Sequence, residues 1–155
     1  MSPGEMVSKY RISTVRVCVD IWDTQQQGRL YCPFGQPETF TSLTELMMKM
    51  EAYFDGIKFP QNFSQSRTFT PQPQTQPIDI TEGAERMERE KLEAQTGGKA
   101  TFTVQVQFRQ HATWQGSITW LEEQKTTHFR SMLEMIRLMD SALPEGDAEA
   151  QPDWD

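Results

Sequence analysis

The chain has 155 residues, a formal net charge of -7 at pH 7 and a hydrophobic content of 36%. No stretch approaches the roughly 18 to 20 consecutive apolar residues of a membrane-spanning helix, and residues 1–9 lack the basic and apolar regions of a signal peptide. The two cysteines make no disulfide framework and are typical of a reducing compartment. These features predict a cytoplasmic protein that is not inserted in a membrane.

The first predicted unit spans residues 9–60 and follows an N-terminus, residues 1–8, that is expected to be flexible. Apolar residues alternate with polar ones from Val15 to Ile21, which is the pattern of a strand with one buried face. Gly28 stands where the chain re-enters the sheet as a second strand. This order of residues predicts a pair of strands.

A helix is predicted after this strand pair. Ser42 and Glu45 form the pattern Ser-x-x-Glu, in which the hydroxyl and the carboxylate satisfy free amide groups of the first helical turn. The apolar residues that follow lie on one stripe of a helix. They are Leu43, Leu46, Met47, Met50 and Phe54.

The second predicted unit, residues 99–143, repeats the first. An alternating run from Phe102 to Phe108 matches the run in the first unit, and Gly116 matches its glycine. Ser131 and Glu134 repeat the capping pattern, which places a second helix after a second strand pair. The apolar stripe of that helix consists of Met132, Met135, Ile136, Met139 and Leu143.

The repeat determines the predicted fold. A single unit of two strands and one helix rarely buries enough surface to be stable alone, whereas two units complete each other when their strands share one sheet. The sequence therefore predicts an α+β fold. In it, two ββα repeats form a four-stranded antiparallel sheet with both helices packed on one face, related by a pseudo-twofold axis.

The two predicted helices are not equivalent. Thr44 and Lys49 of the first correspond to Leu133 and Leu138 of the second, so the second helix is apolar on an additional side. Either this side lies deeper in the fold, which is the favoured interpretation, or it forms a partner interface. The chain is accordingly expected to be a monomer, or a homodimer through Leu133 and Leu138.

The remaining segments differ from the two units in composition. Residues 61–98 are a linker whose first part is rich in Pro and Gln and is expected to be extended. Within the linker, residues 81–95 are highly charged and predict a conditional helix that forms part of the time or on binding. Residues 144–155 contain five acidic and no basic residues and predict a disordered acidic tail.

The sequence contains no recognisable motif for catalysis, metal binding or phosphate binding. The glycines form no phosphate-binding loop, and the cysteines and histidines are not grouped at the spacing of metal ligands. Ser42 and Ser131 start helices in both units, so capping explains them better than nucleophilic catalysis does. The sequence therefore predicts no catalytic residue, no metal, no cofactor and no enzyme.

A set of arginines and tryptophans on or beside the predicted strands suggests a binding surface. Its members are Arg16, Trp22, Arg29, Arg109 and Trp114. Trp22 and Trp114 lie near hairpin turns and are expected to be exposed. Exposed aromatic side chains on a sheet stack on nucleobases in some RNA-binding modules, so a nucleic-acid-binding module is one alternative function.

The leading hypothesis is a small acidic, non-enzymatic protein-interaction module. The acidic tail and the charged linker are suited to a basic partner, so the module is expected to act as an inhibitor or decoy of a basic or nucleic-acid-binding protein. Neither unit has the basic surplus that a surface tracking phosphates usually needs. A nucleic-acid-binding module and a structural homodimer are the two alternatives.

Overall fold

The computed structural model describes residues 13–59, 69, 89–110 and 113–143. These residues form an α+β fold with one six-stranded antiparallel sheet. The strands are β1 (Thr14–Trp22), β2 (Gln26–Tyr31), β3 (Glu38–Phe40), β4 (Ala100–Gln110), β5 (Thr113–Trp120) and β6 (Lys125–Phe129).

Three helices and a short 3-10 turn complete the described part of the chain. The helices are α1 (Leu43–Ile57), α2 (Arg89–Glu93) and α3 (Met132–Ala142), and the turn is Leu121–Glu123. None of these helices is long and apolar enough to cross a bilayer. Four predicted segments lie wholly or mostly outside the described residues. They are the flexible N-terminus, the Pro- and Gln-rich segment, the conditional helix and the acidic tail.

The predicted four-stranded sheet of two ββα repeats is not what the chain forms. Each half contains a third strand directly before its helix, so the sheet has six strands and each half reads βββα. β3 is three residues long and β6 five, and each buries a single residue, Phe40 or Phe129. Such short segments show no alternation long enough to predict a strand from sequence.

The two halves are arranged symmetrically about the middle of the sheet. β1 and β4 pair antiparallel at the centre, with Val17 opposite Phe102. The strand order β3-β2-β1-β4-β5-β6 reads the same outward from this pair in both directions. We call β1 to β3 with α1 the first half, and β4 to β6 with α3 the second half.

One face of the sheet packs against α1 and α3. Val15, Val17 and Val19 of β1 are fully buried in the cluster to which both helices contribute. The helical members of that cluster are Leu46, Met47, Met50, Tyr53, Phe54, Ile57, Met135, Met139 and Ala142. The alternation of the strands and the stripes of the helices therefore meet in a single core.

The helices begin at equivalent serines. The Ser42 hydroxyl accepts a hydrogen bond from the Glu45 amide at 3.1 Å, and the Ser131 hydroxyl accepts one from the Glu134 amide at 3.0 Å. Each glutamate in turn accepts from a backbone amide just before its helix. These bonds satisfy amides that have no partner within the helix.

Both central strands contain a register shift at the same place. The shift follows Val19 in β1 and Val106 in β4. An extra residue in one strand reverses the direction of the side chains beyond it. Trp22 and Arg109, which lie beyond the shifts, therefore turn toward the helices, whereas Phe108 becomes 62% exposed.

Candidate interaction surfaces

Three of the five predicted binding residues lie on the helix side of the sheet and are buried. Trp22, Arg109 and Trp114 are 7%, 3% and 1% exposed, so the expectation that the two tryptophans are exposed was wrong. The Trp22 indole donates a hydrogen bond to the Asp140 carboxylate at 3.0 Å. Trp22 therefore ties β1 to α3 and offers no surface for stacking.

Arg109 and Trp114 meet around one aromatic ring of α1. The Arg109 guanidinium donates to the Asp55 carboxylate at 2.8 Å and lies 5.6 Å from the centre of the Phe54 ring. Trp114 packs edge to face on the same ring, with centroids 5.5 Å apart. This geometry is that of packed aromatic and cation–π contacts in a core.

The other two predicted binding residues, Arg16 and Arg29, lie on the opposite face of the sheet. The five residues thus do not form one Arg- and Trp-bearing face. Arg16 is only 4% exposed, and one of its terminal nitrogens donates to the carbonyls of Glu93 and Gln95, each at 2.9 Å. Its Nε is buried and has no hydrogen-bond partner among the described residues, and burial lowers the pKa of this guanidinium.

Arg29 is engaged by several acceptors. It donates to both oxygens of Asp20, at 3.1 and 3.2 Å, to the Tyr31 hydroxyl at 3.1 Å and to the Thr96 carbonyl at 2.6 Å. The bonds to Asp20 and Tyr31 raise the pKa of Arg29. Burial alone would raise the pKa of Asp20, but hydrogen bonds from Arg29 and the Gly98 amide outweigh it and lower that pKa.

A chain segment crosses this face of the sheet. We call residues 92–99 the strap. Besides the carbonyls bound by the two arginines, the amides of Gly97 and Gly98 donate to the Thr101 hydroxyl and the Asp20 carboxylate, each at 2.9 Å. The Lys99 amide donates to the Val19 carbonyl at 2.8 Å. Sheet side chains thus hold the strap mainly through its backbone.

Cys18 is buried on the strap side of the sheet. It lies between Arg16 and Asp20 along β1, opposite Arg29 in β2 and Thr101 in β4. It has no exposed surface and does not belong to the core cluster. Burial raises the pKa of the Cys18 thiol to about 11, against the lowering effect of the neighbouring arginines. In this closed arrangement the thiol is a poor nucleophile.

The two edges of the sheet are closed differently. At β3, Lys49 of α1 donates to the Thr39 carbonyl and lies 3.3 Å from Glu38 and 3.7 Å from Glu45. Short edge strands and lysines are two ways in which proteins protect a sheet edge from pairing with another chain. This edge is therefore capped by a network of charges.

The edge at β6 lacks the corresponding lysine. Leu138 occupies the place of Lys49, and Thr127 occupies the place of Glu38. No described strand pairs with the outer side of β6. Leu133 in the first turn of α3 is 57% exposed, so its predicted deeper burial was wrong, whereas Leu138 packs half-buried against the core. We call β6 together with Leu133 the open edge.

Within the described ranges, no three His, Cys, Asp or Glu side chains are grouped so that they could hold a metal ion. Cys32 is buried in the core, where burial raises its thiol pKa.

Comparison with protein-family models, with curated proteins and with solved structures finds no match to this chain.

Sequence reasoning missed the strap and the open edge for different reasons. The sequence did carry a signal for the open edge, since the exchange of Lys49 for Leu138 is visible when the two halves are aligned. Because the sequence does not predict β3 and β6, this exchange by itself indicates only a more apolar helix. The strap had no comparable signal, because Glu93, Gln95 and Thr96 take part through their backbone carbonyls.

Proposed function

We propose that this chain is a non-enzymatic protein-interaction module that binds an extended segment of a partner protein along the open edge. In this mode the partner adds a strand to the sheet. Its backbone hydrogen bonds supply affinity, and contacts of alternate side chains supply specificity. The exposed strand positions would be those of Thr126 and His128.

The observation that carries this proposal is the difference between two otherwise matched edges. The halves share their strand order and their helix caps, yet the lysine that caps one edge is a leucine at the other. An uncapped edge strand is a template for pairing with another chain. Leu133, in the first turn of the helix that follows β6, adds an exposed apolar side chain, as binding surfaces commonly have.

The inhibitor or decoy role remains part of the proposal. It rests on the acidic tail, residues 144–155, which lies outside the described residues but whose five acidic residues suit a basic or nucleic-acid-binding partner. A cytoplasmic location also remains proposed, and the two free cysteines support it. Deleting residues 144–155 is expected to weaken partner binding and reduce its salt dependence. Unchanged affinity would contradict the basic-partner assignment.

The nucleic-acid alternative has less support. Trp22, Trp114 and Arg109 are buried on the helix side, and Arg16 is buried under the strap. Only Arg29 keeps substantial exposure, and it is paired with Asp20. A homodimer remains a second candidate because the exposed Leu133 and the outer side of β6 would serve a second copy as well as a different protein.

The test compares capture of partners by the wild-type chain and by variants of the open edge. Thr127→Glu with Leu138→Lys rebuilds the charged cap of the other edge, and Leu133→Lys removes the exposed apolar contact. Met48→Lys is the matched control, because Met48 is an exposed apolar residue of α1. Each protein is used as bait in lysate of the source cell, with and without nuclease.

Loss of the same nuclease-resistant protein from both edge variants, with retention by Met48→Lys, is the expected result. Retention by all variants would contradict the proposal. Recovery of RNA or DNA that nuclease abolishes would replace it with the nucleic-acid alternative. Light scattering tests the homodimer. If the wild type is a dimer and both edge variants are monomers, the open edge binds a second copy of the chain.

A further inference from the structure

Cys18 is enclosed by the strap. The strap is anchored on both sides of this residue, to Arg16 through the carbonyls of Glu93 and Gln95, and to Asp20 through the amide of Gly98. Cys18 has no exposed surface although it lies outside the core formed with α1 and α3. On this face Cys18 is surrounded by Arg16, Arg29 and Thr101, which are the side chains that hold the strap.

The strap is held by few apolar contacts. Leu92 is its only buried residue, and the remaining strap residues are exposed or half-buried. The helix that leads into it, α2, ends within the strap and has five residues, which is too short to be stable by itself. Segments with few buried apolar contacts open locally at a lower free energy than the global unfolding of the domain.

Arg16 provides a second, independent observation at this place. Its guanidinium is buried on the same face of β1, two residues from Cys18, and within the described part of the chain its Nε has no hydrogen-bond partner. Arg29 approaches the thiol from β2. A guanidinium beside a cysteine favours the thiolate once water can reach it. Arg29 is paired with Asp20, whereas Arg16 donates to the neutral backbone carbonyls of Glu93 and Gln95. Arg16 is therefore the cation that would support a thiolate at Cys18, against the opposing charges of Asp20 and Glu122.

We propose that Cys18 is a modification site gated by the strap and that it reacts with low-molecular-weight disulfides when the strap lifts. The Cys18 thiol loses its proton to water, and the thiolate attacks one sulfur of the disulfide. A new S–S bond joins Cys18 to one half of the reagent, and the other half leaves as a thiolate. The closed strap leaves no space for the half of the reagent that is attached to Cys18, so the adduct keeps the strap open.

The second cysteine is an internal control. Cys32 is 3% exposed and belongs to the core cluster between the sheet and the helices. Strap opening is not expected to uncover it, so its reaction should require an opening of the core. A comparison of Cys18 with Cys32 in one molecule therefore separates local opening from global unfolding without any substitution.

The experiment measures the rates at which the two cysteines of the full chain react with a nitrobenzoate disulfide, whose leaving thiolate absorbs visible light. Mass spectrometry assigns each adduct to its cysteine, and the rates are measured at increasing urea below the unfolding transition. We expect Cys18 to react at least about 100-fold faster than Cys32 in the absence of urea. Its rate should also depend less on urea, because little surface is exposed when the strap lifts.

Two further readouts test the role of the strap. Thr101→Val removes the acceptor of the Gly97 amide and should accelerate Cys18 labelling but not Cys32 labelling. Thr119→Val, on the same face in β5, is the matched control and should leave both rates unchanged. Trypsin should cleave the modified protein faster than the unmodified one after the exposed strap residue Lys99, and a reducing thiol should reverse this change.

Two results would contradict gating of Cys18 by the strap. Equal reaction rates and equal urea dependences for Cys18 and Cys32 would show that Cys18 opens only by global unfolding. Unchanged trypsin cleavage after modification would show that the adduct does not hold the strap open. Either result overturns the gated site, and neither depends on whether the open edge binds a partner.

Discussion

Trp22 of the first half donates its indole hydrogen bond to Asp140 in the helix of the second half, at 3.0 Å. Arg109, at the matching place in β4, pairs with Asp55 in the helix of the first half, at 2.8 Å. Each central strand thus reaches the helix of the other half. These reciprocal contacts tie the halves together beyond the pairing of β1 with β4.

The contact of Arg109 is the first to test. Arg109→Ala leaves a cavity beside Phe54 and removes the partner of Asp55, so we expect a loss of about 2–3 kcal/mol of unfolding free energy. Arg109→Met refills the space, and Asp55, at 38% exposed, remains hydrated. The loss of unfolding free energy should therefore be about 1 kcal/mol smaller for Arg109→Met than for Arg109→Ala. Urea unfolding followed by tryptophan fluorescence measures both. Equal losses would mean that the packing contribution is absent.

The positions of Trp22 and Arg109 also show what the sequence could predict. The run of Val15, Val17 and Val19 predicted a strand with one buried face, because that pattern depends only on neighbouring residues. The direction of Trp22 depends on the register shift after Val19, which is set by pairing with β2. Side-chain direction beyond a bulge is therefore a tertiary property and could not be predicted locally.

Arg16 and Arg29 illustrate a second limit. Their place on the non-helix face follows from strand alternation, and a basic ligand surface was a reasonable prediction for that face. Arg29 binds the Asp20 carboxylate and the Tyr31 hydroxyl, but the acceptors that the strap supplies to both arginines are backbone carbonyls, including that of Thr96. Every residue has a backbone carbonyl, so such acceptors leave no signal in the sequence. The sequence therefore could not show that the strap binds these two arginines.

The glycines opposite the register shifts are expected to resist substitution. A Cβ at Gly28 would meet the Cys18 carbonyl oxygen and the Phe40 ring, the latter at 2.7 Å, and a Cβ at Gly116 would meet the Gln105 carbonyl oxygen. Because backbone atoms cannot move aside easily, Gly28→Ala and Gly116→Ala should each lower the unfolding free energy by more than about 2 kcal/mol.

Gly98 is the control for that prediction. The atom nearest to a Cβ at Gly98 is an Asp20 carboxylate oxygen at 3.5 Å, which is an ordinary contact. Gly98→Ala should therefore change the unfolding free energy by no more than about 0.5 kcal/mol. Urea unfolding of the three variants checks the order. A tolerated Gly116→Ala would contradict the close approach of β5 to β4.

The ionised carboxylate of Glu51, in α1, is expected to lower the unfolding free energy at neutral pH. Burial raises its pKa, the nearby Asp55 raises it further, and Arg109 lowers it less. A carboxyl whose folded pKa is raised destabilises the folded state increasingly as pH rises from the unfolded pKa, about 4.3. Glu51→Gln should therefore increase the unfolding free energy at pH 7, by less than about 1 kcal/mol because the site is half-exposed.

The pH dependence distinguishes this effect from a general benefit of glutamine. Both proteins carry a neutral side chain at position 51 well below pH 4, so their unfolding free energies should converge there. Urea titrations at pH 7 and pH 3.5 provide the comparison. A stabilisation by Glu51→Gln of the same size at both pH values would exclude ionisation of Glu51 as its cause.

Asp20 should show the opposite pH dependence. Its pKa is lowered because the hydrogen bonds from Arg29 and the Gly98 amide outweigh the effect of burial. A carboxyl with a lowered folded pKa contributes stability that is fully present above the unfolded pKa, about 3.9, and is lost as pH falls through the folded pKa. The contribution should be below about 1 kcal/mol, because the Asp20 side chain is 38% exposed.

Asp20→Asn tests this assignment through the strap. At pH 7 the variant should label faster at Cys18 than the wild type, because the strap loses a charged acceptor for the Gly98 amide. Below pH 4 too little thiolate forms for labelling, so hydrogen exchange of the Gly98 amide, divided by the rate of a free amide, measures the opening equilibrium. As pH falls below about 4, the wild-type value should approach that of Asp20→Asn. A constant difference between the two proteins from pH 7 to pH 3 would mean that the Asp20 charge does not hold the strap.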